Sequence, residues 1–308
     1  MRIHNLDLMI RLKSRAFILR RTVYEFRHHR YVSLAKAFGN IFKMSADWET
    51  MSREQVHSSK ASDTIFILGN GPSLGWLDSE QIQVINQNDS LGMSLSFLFD
   101  KIIPNYHVMP LEREWEGNRG RTTMLNLFQD YRSSYKKTII LMPQKALYRL
   151  GHPRWMPEAF PISPRIHYLQ PKTRARFSPS SGFNDAFFEK SLIYRGILTV
   201  ALDFAVSQGY QTIVLIGVDP KKWTYFYQDD PRLKMYLDET YNLAHGVPQG
   251  AGPDTPYVSM QPRSGFEGTL TEYLGALRSY LERNRNIRLM TAFSSSDLAG
   301  ILPSFFEE

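Results

Sequence analysis

The sequence predicts an α/β fold with a mainly parallel sheet and helices on both faces. Three observations carry this. Two short β-branched runs, TIFIL at Thr64–Leu68 and TIVLI at Thr212–Ile216, have the continuous apolar character of strands buried on both sides. Each ends in a turn bearing glycine, Gly69-Asn70-Gly71-Pro72-Ser73 and Gly217-Val218-Asp219-Pro220. Between and after them, helix-like stretches alternate with further strand-like runs, the pattern that builds a parallel sheet. In such Rossmann-like sheets ligands bind at the carboxyl ends of the strands, where both turns fall.

The elements follow in order. Residues 1–43 contain no proline, and Ile3, Leu6, Met9 and Ile10 recur at helical spacing. They predict a basic amphipathic helical extension. Residues 44–62 are polar and read as a linker, giving an extension and linker over 1–62 and a main domain over 63–308. After Thr64–Leu68 and its turn, a helix is expected over 78–86. A second strand and its exit fall at 90–99 and a third strand within 102–109. Residues 121–135 look helical, and the apolar run at 137–142 reads as a strand. Residues 143–185 are rich in Pro, Ser and Arg without clear periodicity, and read as a flexible lid or insertion. One or two helices are expected over 187–208, with Gly209 as a stop. A second irregular insertion covers 221–262. A helix over 271–283 and a strand over 287–291 complete the pattern.

Composition narrows the class. The 308 residues are 43% hydrophobic and 13% aromatic, which is globular rather than disordered. The absence of cysteine excludes a disulfide framework, a thiolate zinc site and a cysteine nucleophile. No apolar run approaches the ~20 residues needed to span a bilayer. The opening stretch is broken by Arg2, His4 and Asp7, so no signal peptide is expected. Ten Lys and Arg against two acidic residues give residues 1–43 a charge of +8, and the whole chain is +7, so the other 265 residues carry −1. The basicity therefore belongs to the extension. It suits a helix lying on an anionic membrane surface, a helix packed on the body or on a second subunit, or a nucleic-acid patch. The rest of the chain offers no matching basic surface, so nucleic acid is not assigned.

The turn over 69–74 has the strand–glycine–helix context that brings backbone N–H groups and a helix N-terminus to a phosphate, with Asn70 adding a polar side chain. The third glycine of the dinucleotide fingerprint is missing, and there is no Gly-Lys-Ser/Thr motif. A nicotinamide site and a P-loop are thus disfavoured. Asp219 is a carboxylate delivered to the strand end, suited to a ligand or to holding its own loop. The cluster Lys221, Lys222, Trp223, Tyr225 and Tyr227 follows it, with cations and hydroxyls able to stabilise a departing phosphate. Of eight histidines, His245 is best placed for a base, and His107 lies near a strand end. No His-x-x-x-His spacing or Asp-x-Asp pattern appears, and no metal or cofactor is assigned.

At these residues the chain resembles the bacterial CMP-sialic-acid-dependent sialyltransferases of glycosyltransferase family 42, and the related family that includes archaeal hydroxymethylpterin pyrophosphokinase. Four segments carry the resemblance in order: FILGNGPSL over 66–74, DSLGMSLSF over 89–97, the block 199–219, and NIRLMTAFSSSDLAGILP over 286–303. It implies one nucleotide-binding α/β domain with a lid, metal-independent transfer, and a CMP-activated nonulosonic acid donor as substrate. By position, Asn70 resembles the asparagine near the donor phosphate. Ser94 stands where that family has an asparagine, and Gly196 near its cytidine contact, with Arg195 in place of a serine. Tyr227 matches a tyrosine that helps the phosphate leave, and Lys221 replaces its partner tyrosine. The family's catalytic histidine should fall near 257–267, where this chain has none; either His245 or a carboxylate such as Glu267 substitutes for it, or the reaction differs.

The expectation is an inverting glycosyltransferase at the inner face of the cell membrane, with a bacterial surface glycan or glycolipid as acceptor and a possible homo-oligomer as assembly. The alternatives are a Mg²⁺-dependent pyrophosphokinase-like enzyme, with Asp219 or Asp229 as metal ligands, and a non-catalytic nucleotide-binding protein.

Overall fold

The computed structural model describes residues 49–109, 128, 131, 133–143, 165–169, 196–221, 225–227 and 269–307. The chain divides into two units, Met1–Ala46 and Asp47–Glu308, and all described residues lie in the second. The expected N-terminal helix and most of the two insertions lie outside them. No helix among the described residues is long and apolar enough to cross a membrane.

Eight strands are described: β1 Glu49–Thr50, β2 Thr64–Leu68, β3 Asp89–Met93, β4 Tyr106–Val108, β5 Ile139–Pro143, β6 Arg165–Leu169, β7 Thr212–Ile216 and β8 Arg288–Thr291. They form one sheet in the order β1-β6-β5-β4-β3-β2-β7-β8, and every pairing is parallel. The helices are α1 Arg53–Ser58, α2 Ser79–Asn86, α3 Gly196–Ser207 and α4 Leu270–Arg285. The expected α/β class holds.

Alternation along the central strands explains their unbroken apolar sequence. Ile65, Ile67, Ile213 and Leu215 point to one face, where they meet Leu202 and Ala205 of α3 and Leu274, Leu277 and Leu281 of α4. Phe66, Leu68, Val214 and Ile216 point to the other, against Leu74, Leu77, Ile102 and Ile85 of α2. From Ile65 to Leu68 and from Ile213 to Ile216 each residue thus buries its side chain whichever way it points. Helix starts follow local chemistry. Ser52 with Gln55, Asp78 with Gln81 and Thr269 with Glu272 each form a capping box. Asn286 ends α4 in the left-handed conformation (φ 53°).

Two expectations change. Residues 49–62 are not wholly a linker. Glu49–Thr50 pairs with β6, α1 follows, and Val56 is fully buried. The segment is fastened by polar groups that its composition gave no reason to place inside. Met51 N–H donates to Ile166 O at 2.8 Å, and the buried Asp89 carboxylate accepts from Ala61 N–H, Ser62 N–H and the Tyr210 hydroxyl. The second change falls in the stretch 143–185, read as an irregular lid or insertion. Residues Arg165–Leu169 form β6, paired over five rows with β5.

At the far edge, the end of β8 is covered by the chain itself. Thr291 N–H donates to Pro303 O and Phe305 N–H to Thr291 O, both at 2.9 Å, with Thr291 and Ser304 bridged in parallel.

Candidate functional site

The chain leaves β2 toward β3, β4, β5 and β6, and returns to β7 on the opposite side of β2. The crevice between the carboxyl ends of β2 and β7 is therefore the switch point of the sheet, the usual ligand position in this architecture. Both glycine turns are there.

They are hydrogen-bonded to each other. Gly69 N–H donates to Ile216 O and Gly71 N–H to Gly217 O, each at 2.7 Å. Ser73 N–H donates to Asp219 Oδ2 at 2.9 Å, and Gly217 N–H donates to Ser73 Oγ at 3.0 Å. Such close approach requires glycine. A Cβ on Gly69 would overlap Gly217 O, and one on Gly71 would overlap the Asp219 carboxylate. Three N–H groups of the first turn, expected to meet a phosphate, thus bind the exit of β7. Asp219 is 8% exposed and Ser73 2%. Asn70 Oδ1 is buried with no hydrogen-bond partner among the described residues. Pro72 begins a 3-10 turn, Pro72–Trp76, that carries the chain away.

The insertion after β7 returns to the same place. Phe226 N–H donates to Asn70 O at 3.2 Å. The rings of Tyr225 and Tyr227 stack at 5.4 Å between centroids, and Tyr227 is buried. Lys221 is exposed, and its N–H donates to Asp297 Oδ2 at 2.9 Å, tying the exit of β7 to the loop after β8. Gly196 is the first residue of α3, whose other end leads into the start of β7. His245 and Glu267 lie outside the described residues.

Ser94 follows β3, the other neighbour of β2. The rows pair Leu68 with Gly92, so Asn70 and Ser94 each stand two residues beyond the same row. Ser94 is left-handed (φ 56°), a conformation that costs a side-chain-bearing residue roughly 1–2 kcal/mol. Its carbonyl accepts from His107 Nε2 at 3.1 Å. A carbonyl only accepts, so Nε2 carries the proton. His107 is fully buried, and that burial lowers its pKa to about 4, keeping the ring neutral. It packs among Phe97, Phe128 and Tyr135, whose own hydroxyl pKa burial pushes well upward. Sequence reasoning set His107 aside because its partnership depends on the β3–β4 register. The signal within reach was Gly92, a glycine inside a strand, which marks a close approach.

No family model matches the chain, and no curated protein matches it. Solved structures do. The chain is similar to the monofunctional α-2,3-sialyltransferase Cst-I of Campylobacter jejuni at 15% identity, covering 83% of this chain and 82% of that one, with a TM-score of 0.43. It is similar to the sialyltransferase CstII of Campylobacter jejuni in complex with cytidine-5'-monophosphate at 17% identity, covering 78% and 84%, with a TM-score of 0.43. A third, the MAf glycosyltransferase of Magnetospirillum magneticum AMB-1, matches at 13% identity over 76% of this chain and 32% of that chain, with a TM-score of 0.41.

Proposed function

We propose that the chain is an inverting, metal-independent glycosyltransferase whose donor is a CMP-activated nonulosonic acid, a sialic acid or Kdo-like sugar. The observation that carries the reading is the joining of the two motif-bearing turns at the switch point, where Ser73 and Asp219 meet across 146 residues of sequence. These turns belong to the segments whose order resembles the sialyltransferase family, and Asn70 and Ser94 stand on the same edge.

In this reading the nucleotide lies across the carboxyl edge of β3, β2 and β7. Asn70 and Ser94 offer it polar atoms, and Gly196 stands near the cytidine. The acceptor hydroxyl gives its proton to a base, with His245 and Glu267 the candidates, and attacks the anomeric carbon. The bond to the phosphate oxygen breaks, and Tyr227 and Lys221 stabilise the charge growing there. A basic extension over 1–43 suits an acceptor held at an anionic membrane surface, such as the glycolipid precursor of a bacterial surface glycan.

Thermal shift with CMP, CDP, UDP, GDP and ATP, each with and without Mg²⁺, tests the reading. A ligand that binds only the folded chain stabilises it by about 2.7 kcal/mol at a hundred times its dissociation constant. CMP should raise the melting temperature equally with and without Mg²⁺. A shift by ATP alone, and only with Mg²⁺, would instead support pyrophosphoryl transfer. No shift with any nucleotide would remove the proposal.

A further inference from the structure

Ser94 and Asn286 are the residues other than glycine with positive φ among those described. Asn286 needs no special account, because asparagine ending a helix in this conformation is common. Serine immediately after a buried strand is a different matter. A backbone held in a sparsely populated region persists only when its surroundings over-determine it, and such residues gather at functional sites.

The surroundings of Ser94 do over-determine it. His107 lies directly opposite Gly92 in the β3–β4 pairing. Gly92 has no side chain, and a Cβ there would overlap His107 Nδ1 and approach Ser96 Oγ to 2.8 Å. The imidazole therefore lies across the strand and reaches the Ser94 carbonyl with Nε2. From the other side, Ser96 Oγ accepts from Met93 N–H at 2.8 Å, closing the turn around Ser94. A buried imidazole, a glycine opposite it and a serine cap thus fix one peptide group at the carboxyl edge. That group lies level with Asn70 and beside the switch point.

We propose that His107 is a positioning residue for nucleotide binding: by donating Nε2–H to the Ser94 carbonyl across Gly92, it holds Ser94 left-handed so that its side chain is presented to the nucleotide. The inference rests on the nucleotide reading above and adds to it a buried group that acts through Ser94.

The test measures CMP affinity and melting temperature together on the full chain. His107→Phe keeps a ring among Phe97, Phe128 and Tyr135 but removes the donor; CMP binding should weaken at least ten-fold. His107→Gln places an amide N–H near the position of Nε2 and should recover most of that loss. Ser94→Gly favours the same backbone conformation without a side chain, and should weaken CMP binding at least ten-fold without lowering the melting temperature. The double variant His107→Phe/Ser94→Gly should bind no more weakly than Ser94→Gly alone, since both changes act through one side chain. Wild-type affinity in a folded His107→Phe protein, or losses that multiply in the double variant, would overturn the inference. If His107→Phe does not fold, Ser94→Gly decides, and wild-type affinity there overturns it. Failure of the wild-type chain to bind any nucleotide removes the underlying reading, a result distinguishable from all of these.

Discussion

Ser73 and Asp219 join the exits of β2 and β7 through their side chains: the Ser73 N–H donates to the Asp219 carboxylate, while the Ser73 hydroxyl accepts from Gly217 N–H two residues before it. The carboxylate thus holds the glycine turn. Asp219→Ala leaves the buried Ser73 N–H without this acceptor, and should cost about 1–3 kcal/mol in a denaturant titration. Asp219→Asn keeps an acceptor oxygen and should cost less. Equal losses in the two variants would show that the charge, rather than the acceptor, matters.

The glycines of the first turn should tolerate nothing larger. Alanine at Gly69 would meet the Gly217 carbonyl, and alanine at Gly71 the Asp219 carboxylate and the same carbonyl. Forcing atoms into such packed contacts typically costs about 1–3 kcal/mol. Both variants should show lowered melting temperatures, with Gly69→Ala worse because backbone must give way.

Variants of Tyr227 and Lys221 would separate chemistry from binding. If they act on charge that develops as the nucleotide leaves, their removal lowers turnover more than donor affinity. Tyr227→Phe and Lys221→Ala should each reduce transfer at saturating donor at least ten-fold, against the on the order of 2–4 kcal/mol typical of one lost donor. Because Tyr227 is buried, the phenylalanine variant preserves the ring packing. Full activity in both would exclude this loop from the reaction.

His107 makes stability depend on pH. Its folded pKa is lowered from 6.5 to about 4 by burial, so between these values the unfolded chain binds more protons. Its contribution is therefore complete above about pH 6.5 and is lost as pH falls toward 4, reaching on the order of 3 kcal/mol. Urea titrations across this window should show that decline in the wild type. In His107→Gln, which cannot titrate, the decline should be smaller by this amount.

The basic segment should act through charge. Removing residues 1–43 takes away +8, and binding to anionic vesicles should fall most at low salt. Aggregation of the shortened chain, or a lower subunit count by light scattering, would make the segment a packing element instead.

The central strands were readable because their burial on both faces leaves a continuous apolar run, and β2 and β7 occupy the expected positions. The start of α2 was readable for a local reason, Asp78 capping it. The edge of the sheet was not. β1 has two residues, both exposed, and β6 takes its register from β5. At the site, the residue types of both turns were legible, but their joining was not, because it connects groups far apart in sequence. For the same reason Asp219 could be placed at a strand end without knowing that its carboxylate faces the other turn.

The segment 303–306, laid along β8, determines what else can attach to the molecule. A bare strand edge is a template on which foreign chains add as further strands. Here the backbone groups of Thr291 are already matched to Pro303 and Phe305, while Phe305 and Phe306 pack against Phe66 on the covered face. Loss of these few residues would therefore bare both the end of β8 and the Phe66 face of the core, and should show itself first as self-association.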